Sequence, residues 1–141
     1  MRNAPETLLV NVGTGAQISV LSSRRFEAPG IETRPFLLGT VLLVGATLCG
    51  GAAYAALERF FREYAVAVGA ADVPQYQVMQ RLLENQAEPA TGWRVRTTFA
   101  GTREDPGEAG KIEGIRTENF HPANMIRGVL SGMAEELYQL Y

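Results

Sequence analysis

Two glycine-centred stretches carry residue types and spacings that could do chemistry. Gly13-Thr14-Gly15 sits between two apolar runs, Leu8–Val12 and Ala16–Ser22. Glycines on both sides of Thr14 let the backbone turn sharply and approach a ligand with no Cβ in the way. The tip of such a turn offers backbone N–H groups and one hydroxyl, suitable for holding a phosphate oxygen. A second set of donors is expected at Gly50-Gly51, where a helix should begin. Its unpaired first-turn N–H groups and partial positive charge favour an anion. Both stretches also have a plain structural reading. Glycine turns commonly join paired strands, and two glycines let a strand and a helix approach closely.

The remaining chemistry-bearing residues are sparse. His121 is the only histidine and has no partner acid at fixed spacing; a catalytic histidine needs an orienting partner, so this one reads as structural or surface. The single cysteine, Cys49, excludes an internal disulfide and a cysteine-rich zinc site, and reads as a small buried residue. Glu104, Asp105 and Glu108 read as a solvated loop, although carboxylates beside a nucleotide could touch a magnesium ion. Met125 and Met133 read as core. With a net charge of −2, no basic face points to nucleic acid.

The elements that must position these residues follow from patterning. The chain has 141 residues, enough for one domain. Met1–Thr7 is a short extended lead, and the two runs beside the glycine turn are strands. Ser22–Pro35 is a loop. Phe36–Val44 is apolar on both faces, as a central strand is. Three strands in succession imply an antiparallel meander. Gly50 and Gly51 open a helix to about Val68. Ala53, Leu57, Phe60, Phe61, Tyr64 and Val68 form its buried stripe, with Glu58, Arg59, Arg62 and Glu63 opposite. Gly69 caps its C-terminus.

A second helix, Gln75–Ala87, starts behind Asp72 as N-cap and Pro74, with Tyr76, Met79, Leu82 and Leu83 on one face. Pro89 and Gly92 then break the chain. Trp93–Phe99 alternates as a half-buried strand, and Ala100–Gly114 is a polar loop, with Ile112 and Ile115 as apolar anchors. Asn119 is the expected N-cap of a last helix. Its apolar positions are Met125, Val129, Met133, Leu137 and Leu140, with Ile126, Leu130 and Tyr138 beside them.

Phe36–Leu57 contains no charged residue and is long enough to span a bilayer, which takes about 20 apolar residues. A small membrane-anchored protein is therefore one rival reading. Against it, the run changes from an aliphatic strand-like half to a glycine- and alanine-rich half. The N-terminus lacks a signal peptide's basic-then-apolar pattern, so a cytoplasmic address is expected.

The order strand, Gly-Thr-Gly turn, strand, long loop, strand, Gly-Gly, helix resembles the start of the C-terminal domain of the FGGY carbohydrate kinases. The resemblance rests on NVGTGAQISV (Asn11–Val20), FLLGTVLLVGATLCGG (Phe36–Gly51) and AAYAALERFF (Ala52–Phe61). FAGTRED (Phe99–Asp105) and MIRGVLSGMAEELY (Met125–Tyr138) extend it. Asn11–Gln17 and Leu48–Gly51 are most similar to sedoheptulokinase-like members. The resemblance implies an α/β fold, an incomplete actin-like or RNase H-like ATPase half-domain over residues 1–141. It implies ATP and Mg2+ as cofactors of the intact enzyme and a nucleotide and a sugar as its partners. Gly13, Thr14 and Gly15 would face the ATP phosphates, Gly51 and Ala55 would border the nucleotide, and Gln17 would reach the sugar side. The family's N-terminal domain, catalytic aspartate and adenosine-binding segment have no counterpart here, so this length alone is expected to be inactive. A non-catalytic assembly module, associating through an uncovered stripe on the last helix, is the other rival.

Overall fold

The computed structural model describes residues 7–86 and 92–140. The expected N-terminal lead up to residue 6, the end of the second helix at Ala87 and the break at Pro89 lie outside them. Two runs rich in Leu, Val and Ile form strands β1 (Leu8–Val12) and β2 (Ala16–Ser22). They pair antiparallel across the glycine turn, with Val12 opposite Ala16.

The expected loop Ser22–Pro35 contains a strand, β3 (Ile31–Pro35). The expected strand Phe36–Val44 is displaced to β4 (Val41–Thr47). Its first residues form a 3-10 turn, Leu37–Gly39, closed by the Thr40 N–H and hydroxyl, both donating to Leu37 O at 3.1 and 2.6 Å. The meander of three strands is thus a sheet of four, in the order β1-β2-β4-β3. β4 is central, as its two-sided apolar composition requires.

Phe36–Leu57 is a 3-10 turn, a strand and the start of a helix, which corrects the membrane-span reading. No helix among the described residues is long and apolar enough to cross a membrane.

Helix α1 (Gly51–Ala67) follows β4. It ends as expected at Gly69, whose φ is +92°. Gly69 N–H donates to Val66 O and Ala70 N–H to Ala65 O, both at 2.9 Å, the paired closure that a left-handed glycine permits. The predicted buried stripe is only half right. Ala53 and Leu57 are buried, whereas Phe60, Tyr64 and Val68 are exposed. Glu58, assigned to the outer face, is 5% exposed. The reason is the chain that follows. Gln75 N–H donates to Glu58 Oε1 at 2.8 Å, so the carboxylate receives the start of helix α2 (Tyr76–Glu84). Asp72, the expected cap, lies 3.8 Å from Arg62 Nε instead.

The strand expected over Trp93–Phe99 is only β5 (Arg94–Arg96), and the polar loop after it contains β6 (Lys111–Glu113), its antiparallel partner. Ile112 and Ile115 are exposed and anchor nothing. The residue at the N-cap position of helix α3 (Pro122–Tyr138) is His121, not Asn119, and its side chain makes no capping bond. Asn119 is instead a hub. Its Oδ1 accepts from Trp93 Nε1 and Arg116 N–H, both at 2.8 Å, and its Nδ2 donates to Gly114 O at 2.9 Å.

Ile126 and Val129 bury α3 in a core with Cys49, Ala53, Leu57, Met79 and Val95, and Met125 and Met133 pack on its margin. Met79 and Ile126 are wholly buried, and such burial contributes about 1.5–3 kcal/mol per side chain. The stripe on the last helix is therefore covered, except for Leu130 and Tyr138. That removes the uncovered stripe as one ground for the assembly-module reading.

Candidate phosphate site

The two glycine stretches meet. The turn after β1 lies against the junction between β4 and α1, because Gly51 N–H donates to Gly13 O at 2.8 Å and Ala52 N–H to Thr14 O at 3.0 Å. The approach is close enough to demand glycine. A Cβ on Gly50 would fall 2.5 Å from Gly15 C, one on Gly51 2.6 Å from Gly13 O, and one on Gly15 2.7 Å from Thr47 O. None of these three has a positive φ, so glycine is required here for proximity rather than for backbone handedness.

This contact corrects one expectation. The first amides of α1 are not open to a ligand: Gly51 and Ala52 donate to the turn, and Ala53 N–H donates to Gly50 O at 3.1 Å. Gly13 N–H is spent on Gly15 O at 2.8 Å. Among the described residues, the Thr14 and Gly15 amides have no acceptor. Thr14 is exposed and Gly15 half-buried. The donors left for an anion are thus two adjacent amides and the Thr14 hydroxyl, groups of the kind that hold phosphate elsewhere.

Ala55 lies one helical turn beyond Gly51 on the same side of α1, half-buried. Gln17 is set back on β2, opposite Asn11 and Ala46, and its Nε2 donates to Ser19 Oγ at 2.8 Å. It is not brought to the turn. Cys49, just before the glycine pair, is buried, and that burial pushes its thiol above the usual range; it stays protonated and inert. His121 lies 2.9 Å from the Gln86 amide nitrogen, away from the turn in sequence and in partners.

The acidic loop is engaged elsewhere. Glu108 pairs with Arg96 at 2.6 Å, and Asp105 Oδ1 accepts from Gly107 N–H at 2.9 Å. No group of three or more potential metal ligands occurs among the described residues. A magnesium ion held largely by phosphates and waters needs few protein ligands.

No protein-family model matches the chain, and no curated protein sequence does. Solved structures do. Xylulose kinase from Rhodospirillum rubrum matches with a TM-score of 0.74 at 20% identity, over 94% of this chain and 26% of that one. Gluconate kinase from Lactobacillus acidophilus matches at 0.74 and 19%, over 93% and 26%. Xylulose kinase from Bifidobacterium adolescentis matches at 0.72 and 17%, over 94% and 26%. The fold is therefore that of one part of these kinases, and the chain spans about a quarter of their length.

Proposed function

We propose that this chain is the phosphate-binding part of an ATP-dependent carbohydrate kinase of the FGGY type. The observation that carries it is the pair of unengaged amides at Thr14 and Gly15, beside the start of α1, in a fold shared with xylulose and gluconate kinases. In the intact enzyme ATP would supply the transferred phosphoryl group and Mg2+ would offset its charge. This chain's part is to hold phosphate oxygens with the Thr14 and Gly15 amides and the Thr14 hydroxyl, fixing them for an in-line displacement. Gly51 and Ala55 border the nucleotide and Gln17 faces the sugar side in this reading. The resemblance of Asn11–Gln17 and Leu48–Gly51 to sedoheptulokinase-like members implies a sedoheptulose-like ketose, and the reading carries a cytoplasmic address with it.

The test is an amide-resolved titration of the 141-residue chain with Mg-ATP. The Thr14 and Gly15 resonances should move together. In a kinase chain extended on both sides, Thr14→Ala should weaken ATP by about tenfold or more, the worth of a hydrogen bond to a charged group. Unmoved turn resonances in the first experiment, or wild-type phosphoryl transfer in the second, end the assignment.

One observation favours a second reading, self-association. β1 is an edge strand among the described residues, all five of its residues are exposed, and none is charged or proline. It carries none of the usual protections against edge-to-edge pairing. A second copy of β1 is the natural partner for such an uncharged strand. Sedimentation should show association rising with concentration, and Val10→Lys should suppress it; a monomer at every concentration rejects the reading.

A further inference from the structure

We infer that the first two amides of α1 are positioning groups that set the electrical sign of the Gly13–Gly15 turn. The inference rests on the reading of that turn as the phosphate site.

A turn exposes two kinds of backbone pole, carbonyl oxygens that repel an anion and amides that attract it. Here they are sorted. The carbonyls of Gly13 and Thr14 accept from Gly51 and Ala52 N–H at 2.8 and 3.0 Å, and Gly15 O accepts from Gly13 N–H at 2.8 Å. All three carbonyls of the turn are therefore engaged. The Thr14 and Gly15 amides are not. The helix start thus acts on the anion through the turn, by occupying the poles that would oppose it, and not by its own N–H groups.

The glycines serve this contact. The backbones of Gly15, Gly50 and Gly51 approach so closely that a Cβ on any of them would lie 2.5–2.7 Å from a backbone atom. Only at that distance do the two hydrogen bonds form. Gly51 and Ala52 are therefore specificity-setting residues of the turn that need not touch the ligand.

The experiment is hydrogen exchange and amide-resolved titration of the 141-residue chain with inorganic tripolyphosphate, on wild type and on Ala52→Pro. Proline is tolerated in a helix's first turn but has no N–H, so it removes one of the two bonds. In the free wild type, the Gly51 and Ala52 amides should exchange slowly, and those of Thr14 and Gly15 fast. Tripolyphosphate should protect Thr14 and Gly15 and leave Gly51 and Ala52 as they were. Ala52→Pro, with α1 resonances preserved, should bind about tenfold more weakly.

If wild-type Thr14 and Gly15 respond but Ala52→Pro binds equally well, the inference falls and the phosphate reading stands. If wild-type Thr14 and Gly15 do not respond, the phosphate reading falls and takes the inference with it. Fast exchange at Gly51 and Ala52 in the free chain also overturns the inference, and this needs no variant to fold.

Discussion

At the scale of single residues, the polar groups inside this molecule carry more of the fold than their number suggests. Glu58 is a carboxylate at 5% exposure whose Oε1 holds the Gln75 amide at 2.8 Å. Truncating it strands that donor, and Glu58→Ala should destabilise the chain by about 1–3 kcal/mol, read as a shift in the urea midpoint. Asn119 holds three groups at once, the Trp93 indole, the Arg116 amide and the Gly114 carbonyl. Asn119→Ala should cost about 2–4 kcal/mol. It should also change the emission of Trp93, the sole tryptophan, which stacks on Phe120 at 5.9 Å. Neither role is visible in the sequence. Helical spacing gives Glu58 only Arg62, four residues on, whose Nε lies 3.8 Å from its Oε1, and the bond to the Gln75 amide needs the return of the chain. Asn119 stands where a helix cap belongs, and the residues it bonds lie 3, 5 and 26 positions away.

At the scale of elements, the close seating of α3 on β5 depends on two glycines four residues apart. A Cβ on Gly132 would lie 2.2 Å from Val95 O, and one on Gly128 2.8 Å from Val95 Cγ2. Gly132→Ala must push α3 away from β5. It should destabilise by about 3 kcal/mol despite alanine's better helix propensity, the opposite sign to an exposed helical glycine; thermal unfolding decides the sign. Reading the last helix by its apolar positions passes over Gly128 and Gly132, whose spacing of four is the signal that could have found this contact. The strands were legible where apolar residues run together, as in β1 and β2. They were not where charge and proline dilute them. β3 reads Ile-Glu-Thr-Arg-Pro, and its Glu32–Arg34 pair at 2.8 Å, joined by Arg103, is what an exposed edge strand tolerates. Those guanidinium groups, Arg34 foremost, hold the Glu32 carboxyl below its usual range.

At the scale of the whole molecule, the ionisable groups in and beside the core set how stability follows pH. Burial raises the Cys49 thiol above its usual range, and burial with the neighbouring Tyr76 does the same for the Tyr54 phenol. For both, the fold favours the neutral form. The unfolded chain therefore loses these protons first, and stability present at neutral pH declines as pH rises through and beyond about 8.5. Urea midpoints should fall between about pH 8 and about pH 10, and Cys49→Ala with Tyr54→Phe should flatten that fall. Cys49 should resist alkylation until the chain unfolds. The sequence by itself determined the places where the backbone must come close: glycine at 15, 50 and 51, and aliphatic runs that commit to strands. Those are local properties, fixed by the lack of a Cβ and by side-chain patterning. Only the tertiary structure decided which way the backbone poles at that meeting point face. The α1 amides close on the Gly13 and Thr14 carbonyls and leave the Thr14 and Gly15 amides without an acceptor. That choice is made between segments almost forty residues apart, by hydrogen bonds between main-chain atoms that every residue carries alike.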